Sequence, residues 1–286
     1  MKPAYLLILL FLFTQCSGIN KARVDPYSTS LGEDTEILAM LLEEFDGESQ
    51  TPSGELMVKV GSYFLETPYV ANTLERDGDE QLIINLRELD CTTFAESCLA
   101  ITRTIQSGKP TLDQYTKELV NVRYRNSKIK GYTSRLHYTT DWIWENQQKQ
   151  LVRDVTKEIA DIPYEKTINF MSTHPDSYMQ LKANTRLVEE MAAIEKDITN
   201  RSYYYIPKEK LAGFESRLQD GDIVALTTSI GGLDVSHMGI LVRKNNRIHL
   251  LHASLTAKKV VLSEETLEDY LKNSKSVTGI IVARPI

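Results

Sequence analysis

Apolar positions follow three different rhythms along this chain, and each predicts a different kind of structure. The first is an unbroken run from Tyr5 to Phe13, too short to span a bilayer comfortably. The second is helical. Ile37, Leu38, Leu41, Leu42 and Phe45 share one face of a predicted helix over 33–45, and Thr51-Pro52-Ser53-Gly54 starts a second amphipathic run to Leu65. Leu82 to Leu86 reads as a short strand. From Cys91 onward, Phe94, Cys98, Ile101 and Ile105 recur at steps of three and four until Gly108 and Pro110 close the helix. Residues 110–212 continue mainly helical but irregular, with a clear helix from Asn184 to Ile198 carrying Leu187, Met191 and Ile194. The third rhythm has a period of two. Ile223–Leu226, Val235–Arg243, Arg247–Ser254 and Gly279–Ala283 read as strands, and Ser263–Leu271 as a short helix N-capped by Ser263. Helices first and a small antiparallel sheet afterwards predict an α+β fold.

Two of these strands carry histidines. Asn245-Asn246 between them suits a two-residue hairpin loop, because Asn tolerates positive φ. Pairing Lys244 with Arg247 sets His237 opposite Ser254 and His252 opposite Gly239, so that the two imidazoles are diagonal neighbours on one face. His249 falls opposite Val242 and projects from the other face. Cys91 meets this pair from the helical half. Counting back three from Phe94 places its thiol at the first turn of a helix, where unpaired N–H groups and the positive dipole end favour thiolate and can hold an oxyanion. A cysteine nucleophile needs a base, and the base needs a third polar group to fix its tautomer. Cys91, His237 and His252 fit those roles in that order. Metal binding would need a further ligand beyond the two histidines, with Asp234 the nearest by sequence, and no metal or cofactor is expected.

Charge narrows the partners. The 286 residues carry a net charge of −6 with no basic patch, which excludes a nucleic-acid phosphate backbone as ligand. The opening segment implies export: Lys2 and the apolar run end at Leu12-Phe13-Thr14-Gln15-Cys16-Ser17-Gly18, as a secretory signal does. A signal closing on cysteine resembles that of a bacterial lipoprotein, with Cys16 as the lipidated first residue of the mature chain. The expected organisation is a signal peptide over 1–15, a tether over 16–30 and a catalytic domain over 31–286 with an insert at about 110–212. Export makes the other thiols candidates for pairing. Cys91 and Cys98 lie seven residues apart on one helix, about 10 Å of rise, and are therefore expected to stay free.

The strings Asp90-Cys91, Ser236-His237-Met238-Gly239-Ile240 and His252, together with Thr67-Pro68-Tyr69-Val70, resemble NlpC-type cell-wall cysteine hydrolases of papain-like fold. The longer strings Leu89-Asp90-Cys91-Thr92-Thr93-Phe94-Ala95-Glu96 and Gly232-Leu233-Asp234-Val235-Ser236-His237-Met238-Gly239 are similar to an exported subfamily of N-acetylmuramoyl-L-alanine amidases with a helical insert. That resemblance implies a papain-like core of N-terminal helices packed on a small antiparallel sheet. It also implies hydrolysis of the amide between N-acetylmuramic acid and L-alanine in muropeptides, with anhydro-muramic ends preferred. Cys91 would attack, His237 would protonate the departing amine, and the Cys91 N–H with the Tyr69 hydroxyl would hold the oxyanion. Asp234 and Ser236, flanking His237, and the mixed charged and aromatic set Arg135, Tyr138, Asp141 and Trp142 are candidate substrate contacts. Partners are then peptidoglycan fragments and, through Cys16, the membrane of the cell envelope, with no obligate protein partner evident. An endopeptidase cutting between D-glutamate and the diamino acid, and a non-catalytic muropeptide-binding lipoprotein, are the alternatives.

Overall fold

The computed structural model describes residues 29–286. The signal segment, Cys16 and nearly all of the expected tether lie outside the described residues. Among those described, no helix is long and apolar enough to cross a membrane.

Helices α1 (Thr29–Glu44), α2 (Ser53–Tyr63) and α3 (Cys91–Gln106) come first, followed by α4 (Leu112–Arg123) and α5 (Thr139–Gln148). Then come the short α6 (Thr156–Ile159) and α7 (Phe170–Thr173), the long α8 (Thr185–Thr199), the short α9 (Leu211–Phe214) and finally α10 (Leu267–Asn273). The strands are β1 (Val152–Asp154), β2 (Ile206–Pro207), β3 (Ile223–Thr228), β4 (Val235–Lys244), β5 (Arg247–Ser254), β6 (Lys259–Thr266) and β7 (Val277–Pro285). They form one antiparallel sheet in the order β1-β7-β3-β4-β5-β6, with β2 also on β7. The α+β architecture thus follows the order of elements in the sequence.

Alternation along the strands buries both faces of the sheet. Ala225, Met238, Ile240, Leu251, Ala253 and Ile281 face the core built by α1, α2 and α3. Val224, Leu226, Leu241, Leu250, Ile280 and Val282 face the core that includes Leu267 and Leu271 of α10. A Cβ on Gly61 of α2 would meet Leu251 Cδ2 at 2.8 Å, so this glycine lets the helix lie directly on the hairpin. The segment at 110–212 is only partly an appendage. Tyr115, Leu119, Val122, Trp142 and Ile143 belong to the main core, while Tyr138, Ile168, Met171, Leu181, Met191 and Ile198 form a separate small one.

Two expected elements differ. Leu82–Leu86 is irregular rather than a strand. Its side chains pack on the core, but its backbone is satisfied by distant side chains: Arg123 Nη1 donates to the Ile83 carbonyl at 2.7 Å and the Leu86 N–H donates to Asp34 at 2.9 Å. The helix expected at Ser263 starts at Leu267, N-capped by Thr266, whose hydroxyl accepts the Asp269 N–H at 3.2 Å. Ser263 instead lies in β6, where the β5–β6 register shifts, and its hydroxyl accepts the Leu250 N–H at 3.0 Å.

Candidate active site

Helix α3 begins where the sequence places it, and the cause is local. Asp90 is its N-cap: the carboxylate accepts the Thr93 N–H at 2.7 Å, and the Asp90 N–H donates to the Thr93 hydroxyl at 2.9 Å. This reciprocal pair fixes Cys91 as the first helical residue. Cys91 is half-buried and Cys98 fully buried, both as free thiols.

The hairpin also forms as its turn chemistry requires. Asn245 and Asn246 have φ of 52° and 61°, and the ladder runs from Lys244↔Arg247 to Ile240↔Leu251. There it stops. β4 continues to Val235 paired with β3, and β5 continues to Ser254 paired with β6, so the two strands fork at the end that carries the histidines. Across the fork, His237 Nε2 and His252 Nδ1 are 2.6 Å apart, with the rings edge to face at 4.8 Å between centroids. Gly239 gives His252 its place, since a Cβ there would stand 3.1 Å from His252 Cβ and 2.6 Å from Leu250 Cδ1.

The fork explains how a helix on one face of the sheet reaches rings that project towards the other. Leu241 gives its N–H to Asp222 on the β3 side at 2.8 Å. By strand alternation Met238 turns its N–H the opposite way, towards β5. No β5 partner is paired there, and the Met238 N–H, with the Thr92 hydroxyl and the Cys91 N–H, lies close enough to the Cys91 sulfur to favour its thiolate form. The thiol therefore sits beside the residue that follows His237.

Burial sets the protonation states. It pushes the Cys91 thiol up to about 11, with the Asp90 charge adding to the rise and the three donors opposing it. The expected thiolate preference of the helix N-terminus is thus outweighed in the unliganded site. Burial, with His252 contributing, pushes His237 down to about 3, and burial pushes His252 down to about 4. The resting site is a neutral thiol beside two neutral imidazoles.

Around this centre lie two tyrosines. Tyr69 bridges Leu89 and donates its N–H to the Lys258 carbonyl at 2.9 Å, and its phenol is pushed up to about 12 by burial and by the nearby Cys91 and Asp90. Tyr270 of α10 packs edge-on against His252 at 5.5 Å and also feels Cys91. The sequence reading missed Tyr270, and the missing signal was the Thr266 cap that sets the phase of α10. Ser236 is exposed beside His237.

The other expected contacts are engaged internally. Asp234 is buried and accepts the N–H and hydroxyl of Thr140, both at 2.8 Å, and the Val235 N–H at 2.7 Å. It caps the start of α5 and is no longer available for a substrate amine. Arg135 is buried against the Leu74 carbonyl at 3.1 Å and Glu75 at 2.6 Å. Tyr138 donates to Glu195 at 2.6 Å, Asp141 pairs with Arg125 and Arg201, and Trp142 is in the core. Tyr138 and Asp141 thus hold the 110–212 segment together, Trp142 packs in the main core, and Arg135 ties the segment to residues 74–80, where it borders a cavity separate from the one beside His237.

Known proteins share this architecture. A Bacteroides uniformis ATCC 8492 crystal structure described as an N-acetylmuramoyl-L-alanine amidase matches with a TM-score of 0.79 at 42% identity, covering 82% of this chain and 98% of that one. A Bacteroides fragilis structure described provisionally as a xylanase matches with a TM-score of 0.76 at 43% identity, covering 79% and 99%. A Legionella pneumophila str. Philadelphia 1 protein, 21% identical over 90% of this chain and 97% of that one with a TM-score of 0.68, shares the fold. No curated protein matches. The model of the AmiA-like family, described as N-acetylmuramoyl-L-alanine amidase-like, matches residues 59–280, and the chain belongs to that family.

Proposed function

We propose that this chain is a cysteine-nucleophile amidase of the NlpC-type, papain-like kind that cleaves the bond between N-acetylmuramic acid and L-alanine in anhydro-muropeptides. The reading rests above all on the 2.6 Å contact between His237 Nε2 and His252 Nδ1, beside a cysteine at a helix start. With Nε2 of His237 committed to His252, Nδ1 is the nitrogen left for the thiol. His237 donating from Nε2 into the Nδ1 lone pair of His252 leaves its own Nδ1 as a proton acceptor.

The chemistry then balances without a cofactor. As Cys91 Sγ bonds to the lactyl carbonyl carbon, its proton passes to His237 Nδ1. The oxyanion is held by the Cys91 N–H, with the Tyr69 hydroxyl as a second donor. Collapse breaks the carbon–nitrogen bond, and His237 returns the proton to the departing alanine nitrogen. Water, deprotonated by His237, opens the thioester to the muramic carboxylic acid, and the thiol is restored. Glycoside hydrolysis relies on a pair of carboxylates. The groups converging here are a thiol and two imidazoles, which favours amide over glycosidic cleavage.

Export through the segment at 1–15 and lipid anchoring at Cys16 complete the proposal and would put the enzyme in the cell envelope with its substrate. Mass spectrometry of a defined anhydro-muropeptide after incubation tests the bond. Free stem peptide beginning with L-alanine is expected. A dipeptide product would mark the γ-D-glutamyl endopeptidase instead, and binding with no product would leave a muropeptide-binding lipoprotein.

A further inference from the structure

On its side away from α2, His237 borders a cavity of about 330 Å³ shared by Ser236, Glu265, Tyr270, Asn273 and Ser276. Ser236 is exposed at its rim, and Glu265 of β6 is exposed too, its carboxylate accepting from Asn273 Nδ2 at 2.8 Å. Tyr270 joins the cavity to the reacting centre, because it packs against His252 and its phenol lies within electrostatic reach of both Glu265 and Cys91.

Where the acid stands dictates what the cavity receives. In amide cleavage the base that takes the thiol proton must also reach the departing nitrogen, so the leaving group lies on the His237 side of the scissile bond. Resting on the amidase reading above, we propose that this cavity is the leaving-group subsite. It takes the first residues of the departing peptide, and Glu265 pairs with the ammonium that the freed amine becomes. The serine hydroxyls and the Asn273 amide supply the hydrogen bonds a peptide backbone needs, and Glu265 is the charged group that separates an amine-terminal product from an acylated one.

Calorimetric titration of full-length Cys91→Ala protein with a free peptide beginning with L-alanine tests this without turnover. Glu265→Gln added to that variant is expected to weaken binding about tenfold, the lower end for a charge-assisted bond. The N-acetylated peptide, which has no ammonium, is expected to bind weakly and equally to both. Equal affinity of both proteins for the free peptide, no detectable binding at all, or a loss that persists with the acetylated peptide would each overturn the subsite. Ser236→Ala, which leaves the Asn273–Glu265 contact in place, checks the cavity independently of the charge, and is expected to weaken both peptides alike; unchanged binding of both counts against it. Wild-type hydrolysis of the anhydro-muropeptide alongside an inert Glu265→Gln change overturns the subsite alone. Absence of any hydrolysis by the wild type overturns the amidase reading itself.

Discussion

Two polar groups in this molecule look alike in sequence and differ in what their side chains are free to do. Arg135, Tyr138, Asp141 and Trp142 mix charge and aromatic surface as a sugar-peptide cleft would. The chain supplies partners of its own to the first three: Glu75, Glu195, Arg125 and Arg201. Cys91, His237 and His252 meet instead at a fork where a ladder stops short, so backbone and side-chain groups there turn towards one another and towards a cavity. A polar residue is functionally available when the fold leaves part of its bonding capacity unspent, and that depends on long-range partners more than on composition.

Substitutions should split along the same line. Cys91→Ala is expected to abolish muropeptide hydrolysis, and His237→Ala to lower kcat by about 100–10,000-fold, the range for loss of general acid–base help. Neither should move the thermal midpoint by much, as read by circular dichroism. Hydrolysis at the wild-type rate by either variant would remove the triad from the account. Asp141→Ala is expected to do the reverse. Leaving Arg125 and Arg201 without their shared buried carboxylate should cost about 3 kcal/mol in urea unfolding, with turnover per folded molecule unchanged. A stable but inactive Asp141→Ala protein would return the insert cluster to the cleft.

The smallest effect is a pH slope. His237 and His252 titrate near 3 and 4 in the folded state, below the ordinary value of 6.5. Between those limits the unfolded chain binds protons that the folded chain does not, so stability should fall as pH drops from 6.5 towards 4. A His237→Gln, His252→Gln double variant should show a shallower fall in urea midpoint over that range. Identical slopes would mean the rings are not held neutral by the fold.

Much of the site was legible because its determinants are short-range. Asn245-Asn246 fixes the hairpin register, the spacing back from Phe94 sets Cys91 in the first turn of α3, and counting along β4 and β5 puts two imidazoles side by side. The comparisons bear out the amidase-like family that the longer strings around Cys91 and His237 indicated. What escaped depends on contacts many residues apart. Arg123 binds the backbone at Ile83 and makes a loop of what reads as a strand. Ser263 looks like a helix cap until the Leu250 N–H across the sheet claims its hydroxyl. The thiol's protonation turned on the segments that pack around a half-buried sulfur, which no local pattern records.

Asp234 ties the insert to the strand that carries His237. Its carboxylate caps the start of α5 on one side, and three residues later the chain delivers the imidazole on the other. Residues 110–212 are therefore coupled to the strand that carries His237 through a buried carboxylate. A chimaera that swaps residues 110–212 alone would strand that carboxylate in the interior, and a working graft has to bring the Leu233-Asp234 leader with it.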